Sequence, residues 1–474
     1  MQCQSPFTQL DSSQDCKKLY QFLDFCRQKS ISDCCSKVAS ISLEIDPIDP
    51  LVVLCQWADP NQVHFYFENR DRGKAIAAIG ASQLLEIEGS QRFLKAQVFI
   101  QNTLDHLISN RPNHVPWFCP RFFSGFTFFE QALAEDSPFA AATLFLPDWQ
   151  IVRWHDRYAA IAHLTIHEQS NIEQLTQTLW QQFQTLQQTS NSFFTFPGNL
   201  AQLTEWEQIE THDFRAAVSA ALRAIRRKQL SKLVLAHTVD VISPLPLQWG
   251  HSLHNLRQLH PDCYVFSVGN GQGQSFIGAS PERLLSIHNQ RLVTDALAGS
   301  APRGRSLRDD AQFAQALLSS DKERREHQVV VDFITQQLAE FGLDLHLANA
   351  PGLLKLSNIQ HLHTPIQAVV PSDVQPLELL AQLHPTPAVA GFPRDIAGEL
   401  IQKYEGFGRS LYAAPLGWLD AQGNAEFIVG IRSALLEGHR ARLYAGAGIV
   451  AGSNPDRELA EVRLKFQALL RALV

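Results

Sequence analysis

The chain has 474 residues, 40 of them basic and 47 acidic, for a formal net charge of −7. With 45% hydrophobic and 18% charged residues it carries enough apolar material for a large core, which excludes a disordered chain. The mild acidity and the lack of a basic block argue against a nucleic-acid track or a surface for anionic membranes, and no apolar run reaches the roughly 18 residues that a membrane-spanning helix needs.

Five of the eight cysteines (Cys3, Cys16, Cys26, Cys34 and Cys35) fall in the first 35 residues, followed by Cys55, Cys119 and Cys263. No C-x-x-C pair occurs, so neither a zinc ribbon nor a redox dithiol is indicated. The start lacks a basic stretch followed by an apolar one, so no secretory signal is expected and a reducing, cytoplasmic setting is. Residues 1–40 read as one or two helices around CKKLYQFLDFCRQK. From there to about residue 190, β-like runs (LVVLCQWA, VHFYFEN, AAATLFLP, QIVRWH, YAAIAHLTI) alternate with helical stretches such as SNIEQLTQTLWQQFQTLQQ. The polar, Pro-Gly-punctuated segment 189–206 is the best internal boundary. It divides a variable N-terminal part, 1–205, from a core, 206–474.

In the core the periodicities sharpen. Phe214, Ala217, Val218, Ala221, Leu222 and Ile225 follow helical spacing. A strand KLVLAHTVDV follows, then a meander turning at GNGQGQ and at Asn289-Gln290, and a hairpin pairing SLYAAPLGWLD with EFIVGIRSALL. Sequential strands with helices inserted in blocks predict an α+β fold: a large, mostly antiparallel sheet sandwich with flanking helices, one intertwined unit to which 1–205 contributes.

The chemistry-bearing candidates are few. Ser320 to Glu323 forms an S-x-x-E capping box, opening a helix with the buried line Val330, Phe333, Ile334, Leu338 and Phe341. Four residues before Val330 stands Glu326, an inward carboxylate that needs a cation or donors. The last helix, capped by Asn454 or Ser453, carries Glu458, Glu461 and Lys465 beside its apolar line. An exposed Glu461–Lys465 pair is its ordinary reading. With Glu326 brought opposite, three carboxylates could hold a hard cation such as Mg²⁺. Lys232 at the head of an apolar strand is ordinarily a snorkelling side chain, and inside a cavity it would be a base. Glu282, after Pro281 at a strand end, is either a turn acid or a general acid. The glycines of GAGIVAG follow a strand, but the spacing and the chain end 22 residues later argue against a dinucleotide fold. They would still admit an anion close to the backbone. His361-Leu362-His363 lacks a third ligand, so zinc is not expected, and the aromatic stripes read as core.

Taken in order, KLVLA (232–236), GASPERL (278–284), DALAGSAPRGR (295–305), SDKERREH (320–327), HLHTPI (361–366), HPTPAVAGFPRDIA (384–397), YEGFGRSLYAAPLGWLD (404–420), IRSALL (431–436) and RLYAGAGIVAGSNPDRELAEVRLK (442–465) resemble the chorismate-utilising enzyme family. The resemblance runs from about residue 206 to the end. Ala298 stands where aminodeoxychorismate synthases carry lysine, and HPTPAVAGFPRDIA resembles the isochorismate synthase pattern, with salicylate synthases as the nearest alternative. His237, Ser410 and Ala414 depart from the family's commoner residues. The resemblance implies a Mg²⁺-dependent isomerase that removes the C4 hydroxyl of chorismate and adds water at C2. It implies Lys232 as general base and Glu282 as general acid, and Mg²⁺ on Glu326, Glu461 and, through water, Glu458. Tyr412 and Arg432 would grip the pyruvyl carboxylate, with Gly446, Gly299, His361 and Lys465 lining the substrate. A monomer without glutaminase subunit, feeding menaquinone or phylloquinone synthesis, is the corresponding expectation. Added pyruvate elimination, a siderophore pathway, or a chorismate-binding protein without turnover are the alternatives.

Overall fold

The computed structural model describes residues 13–110, 115–131, 137–189, 206–357 and 359–473, so the boundary expected within 189–206 lies almost wholly outside the described residues. Two large sheets dominate, one of 13 strands and one of 10 among the described residues. Every pairing is antiparallel except that of Lys37–Glu44 with Leu107–Ser109. Both sheets run through the two parts of the chain. In the larger, Val63–Asn69 pairs with Tyr264–Asn270 along its whole length. In the smaller, Arg121–Phe126 pairs with Pro415–Asp420. The sheets pack face to face: the Phe65 and Phe123 rings lie 5.3 Å apart across the interface. The Tyr264 hydroxyl donates to Glu426 Oε1 at 3.0 Å, also from one sheet to the other.

Local chemistry sets the elements. Asp213 caps the helix Phe214–Arg226, accepting from the Ala216 amide, and all six residues expected on its inner face are buried. Asn289 and Gln290 adopt φ of 50° and 62°, the backbone of a two-residue primed turn, between Arg283–His288 and Arg291–Pro302. The N-terminal stretch forms one helix, Ser13–Ser32.

Two expectations are corrected. The run LVVLCQWA is part of a helix, Pro50–Trp57, rather than a strand. Asp49 accepts from the Leu51 amide and Pro50 sits in the first turn, a start signal that outweighs a short apolar run whose period is ambiguous. EFIVGIRSALL is two strands: Ala425–Val429 belongs to the smaller sheet and Ser433–Glu437 to the larger. The chain changes sheets between them, at Arg432, which takes a left-handed φ of 50°.

Candidate active site

The strand Lys232–Ile242 lies beside Arg440–Val450 in the larger sheet, with Lys232 opposite Val450, Val234 opposite Gly448 and Ala236 opposite Gly446. Lys232 does not snorkel. It is 2% exposed and its Nζ lies 2.8 Å from Glu326 Oε1. The two glycines opposite make room for this arrangement. A Cβ on Gly448 would stand 2.9 Å from Glu326 Oε1, and one on Gly446 would stand 2.7 Å from the Tyr412 hydroxyl. Tyr412 is buried and stacks on Tyr444 at 5.3 Å.

Glu282 occupies a second crossing between the sheets, from Gln274–Ser280 in the larger to Arg283–His288 in the smaller. This crossing and the one at Arg432 are bonded together: the Val429 amide donates to Glu282 O at 3.1 Å, and the Ala279 amide to Arg432 O at 3.1 Å. Burial, and then the charge of Asp295, push the Glu282 carboxyl up to about 8 against the opposing pull of Lys232. Asp295 is itself fixed by Arg283 at 2.8 Å and His363 at 2.9 Å. Glu282 is therefore a carboxylic acid at neutral pH.

Arg432 directs Nη2 to His361 Nε2 at 3.3 Å, while His361 Nδ1 meets Ser300 Oγ at 2.9 Å. Because the guanidinium can only donate, His361 accepts at Nε2 and carries its proton on Nδ1. Burial and the Arg432 charge lower this imidazole to about 3, so it is neutral. Gly299 is the extra residue of a bulge in Arg291–Pro302, at φ 78° next to Ser300.

Two helices bring carboxylates to the same space. Ser320 caps Asp321–Ala339 by accepting from the Glu323 amide. Asn454 Oδ1 caps Pro455–Leu473 by accepting from the Asp456 and Arg457 amides. Glu323 and Glu326 descend from the first helix, Glu458 and Glu461 from the second, and all four line one cavity of about 340 Å³. Burial raises Glu323 and Glu458, and the charges of Glu326 and Glu461 raise both further. Burial works to raise Glu326 too, but Lys232, Lys322 and Lys465 outweigh it and hold it low. Lys465 joins Glu461 at 2.9 Å and donates to Gly446 O at 2.7 Å. Among the described residues no three His, Cys, Asp or Glu side chains stand together as a ready metal site. The donor set is nonetheless suited to a hard cation: carboxylate oxygens from two helix starts that repel one another.

The cavity thus brings together every residue to which the resemblance gives a catalytic, substrate or metal role: Lys232, Glu282, Gly299, Glu326, His361, Tyr412, Arg432, Gly446, Glu458, Glu461 and Lys465. It also holds residues the sequence reading missed. Glu323 had been accounted for by the capping box, yet only its amide is used there, and its carboxylate lies near the Gly299 bulge. Its spacing of three from Glu326, matching Glu458 to Glu461, was the available signal. Tyr444 had been read as core. Lys322 and Arg457, also on the lining, occupy matching places in the two helix starts, DKERRE and DRELAE.

Comparison with known proteins gives consistent matches. The family model of the chorismate binding enzyme covers residues 23–474. The salicylate biosynthesis isochorismate synthase of Pseudomonas aeruginosa is 36% identical over 439 residues, 92% of this chain and 90% of that protein. The isochorismate synthase MenF of Bacillus subtilis is 37% identical over 267 residues, 56% of each. The solved structure of MenF, the menaquinone-specific isochorismate synthase of Escherichia coli, superposes with a TM-score of 0.76 at 27% identity, over 96% of this chain and 100% of that one. With so much of its length matched, the chain belongs to the chorismate-binding enzyme family.

Proposed function

We propose that this protein converts chorismate to isochorismate. The observation that carries the reading is a buried amine, Lys232, sharing one cavity with a carboxylic acid, Glu282, that its surroundings keep protonated. The isochorismate synthases among its relatives support the same conclusion. Lys232 acts as the free amine, the proton of its Glu326 ion pair having gone to solvent, and takes a proton from water as the water oxygen bonds to C2. The ring double bond shifts, the C4–O bond breaks, and Glu282 gives its proton to the departing hydroxyl, which leaves as water. One water enters and one departs, and the proton moved from Glu282 to Lys232 returns through solvent.

Tyr412 and Arg432 hold the pyruvyl carboxylate, the planar fork of Arg432 being oriented by neutral His361. The backbone of Gly446 and Gly299 and the ammonium of Lys465 complete the contacts. Glu326 and Glu461, with Glu458 through a water, would hold Mg²⁺. Bound there, the ion would supply positive charge against the ring carboxylate and relieve the repulsion among the glutamates. Water rather than ammonia is the nucleophile, so no glutaminase subunit is needed, and a monomer suffices. We assign the protein to the cytoplasm, in keeping with free thiols at Cys16, Cys26, Cys34, Cys35, Cys55 and Cys263, and its product to menaquinone or phylloquinone synthesis. No helix among the described residues is long and apolar enough to cross a membrane.

Incubating the chain with chorismate and Mg²⁺ and following the ring protons by NMR should give isochorismate; no new species would end this reading. A lactate dehydrogenase-coupled assay on the same mixture should detect no pyruvate, and pyruvate release would replace the isomerase by an enzyme that also eliminates it.

A further inference from the structure

The strand carrying Lys232 is incompletely paired on its outer side. Lys232 and Leu233 pair with Phe392 and Gly391, and Val239 to Ile242 pair with Glu207–Glu210. Between these two stretches no strand among the described residues takes the Val234 carbonyl or the Ala236 amide. A side-chain ion pair takes them instead. Arg409 Nη2 donates to Val234 O at 2.8 Å, and Glu405 Oε1 accepts from the Ala236 amide at 2.7 Å. The pair also closes on itself, with Arg409 Nε to Glu405 Oε2 at 2.9 Å and Nη2 to Oε1 at 2.5 Å, both side chains 1% exposed. The third guanidinium nitrogen, Nη1, donates to Val389 O at 2.8 Å, and Cζ lies 5.8 Å from the centre of the Tyr412 ring.

Three of the groups this pair reaches, Val234, Val389 and Tyr412, are walls of the cavity, while Ala236 and the Phe128 ring, 4.3 Å from Arg409 Cζ, lie outside it. Lys232 and Val234, two apart on one strand, share a face. A buried ion pair is a poor device for stability, since desolvating both charges offsets most of their attraction. What it offers is geometry, because a planar fork with fixed donors can satisfy two carbonyls and a carboxylate at once. The turn that follows repeats the theme: the Tyr412 amide donates to Arg409 O at 2.8 Å, and Ser410 and Ala413 on either side are held at φ of 48° and 59°.

We infer that Arg409 and Glu405 are positioning residues for the isomerisation, tying the Lys232 strand, the Val389 wall and the Tyr412 turn into one arrangement. This inference rests on the cavity being where chorismate is isomerised. Lysine at 409 keeps the charge but not the fork, so Arg409→Lys should fold and its kcat with chorismate and Mg²⁺ should fall at least tenfold per folded molecule. The double variant Glu405→Leu/Arg409→Met removes both charges together, so it should keep the fold while losing at least as much turnover. Arg153→Lys is the control, weakening a 2.8 Å ion pair with buried Glu68 away from the cavity; it should shift the melting temperature and leave kcat within twofold. A kcat within twofold of the native value in folded Arg409→Lys or in the double variant overturns the inference. Hydrogen exchange gives a readout independent of turnover: the Ala236 amide should exchange at least tenfold faster in the double variant, and unchanged protection refutes the tie. If the native chain makes no isochorismate, the functional reading fails while the exchange result still decides the structural one.

Discussion

Replacing Glu282 by glutamine tests the acid assignment and its physical cause together. Burial and Asp295 move this carboxyl from its ordinary 4.5 to about 8. The folded chain therefore keeps a proton that the unfolded chain has already released. Unfolding sheds that proton, so rising pH favours unfolding: the contribution is fully present below about 4.5 and is lost progressively as pH climbs through about 8. Each unit corresponds to about 1.4 kcal/mol, so the whole window is worth on the order of 5 kcal/mol, and about 3 kcal/mol of it has been lost by pH 7. Glutamine has the same shape and no charge to strip of water. Glu282→Gln should then match the native chain near pH 4.5 and become the more stable of the two as pH rises, by about 3 kcal/mol at neutrality.

Turnover should move the opposite way. Glutamine has no proton to give to the departing hydroxyl, and the loss of a positioned acid costs about 10²–10⁴ in rate. In the native enzyme kcat/KM should decline tenfold per unit above about 8, where Glu282 ionises. Urea unfolding at closely spaced pH values, with the NMR assay on the same preparations, measures both effects. Unfolding free energies of the two chains that stay parallel between pH 5 and 8 would refute the electrostatic argument. A glutamine variant keeping a tenth of native turnover would remove the catalytic role.

Gly446→Ala places a methyl 2.7 Å from the Tyr412 hydroxyl and should raise the KM for chorismate about tenfold, roughly 1.4 kcal/mol, with kcat nearly unchanged. Glu461→Gln should raise the Mg²⁺ concentration for half-maximal rate at least tenfold, and calorimetry with Mg²⁺ alone should show the same weakening; unaltered affinity would exclude this carboxylate as a ligand. His361, held neutral at about 3, should leave no inflection in the kcat/KM profile between pH 5 and 8. His361→Asn should accordingly weaken chorismate binding without altering the shape of that profile.

How much of this was legible in the sequence depended on the range of the signal. Glu326 could be found by stepping back one turn from Val330, because helical period is a local property and a capped N-terminus fixes its phase. The Asn289-Gln290 turn was equally local. The division of EFIVGIRSALL was not, since its apolar run continues through the crossing, and what separates its halves is a second, distant partner for each: Arg283–His288 beside Ala425–Val429 and Gln274–Ser280 beside Ser433–Glu437. Tyr444 resembled core because it is core on one side and cavity wall on the other. Glu405 and Arg409 carry no signal of their role in the sequence; only the folded chain shows them filling a gap beside another strand. His237 sits fully buried among Phe214, Phe466 and His212, with neither ring nitrogen bonded among the described residues, and nothing in the site explains it.

The placement of the acid and of the arginine follows from one constraint. A sheet sandwich fills the space between its layers with apolar side chains, and a charged group there must be paired or lose its charge. The chain crosses between the layers at Glu282 and again at Arg432, and the two crossings are adjacent and mutually bonded. At a crossing the backbone leaves its ladder, so polar side chains can be aimed into the interlayer space without unpairing a strand on either side. Glu282 loses its charge there by staying protonated, and Arg432 keeps its own by leaning on neutral His361 toward the cavity. The same desolvation that would destabilise a carboxylate in a core prepares a proton donor. Their neighbours Pro281 and Ile431 line the cavity as well, so the sheet change, more than any single side chain, determines what this fold can catalyse.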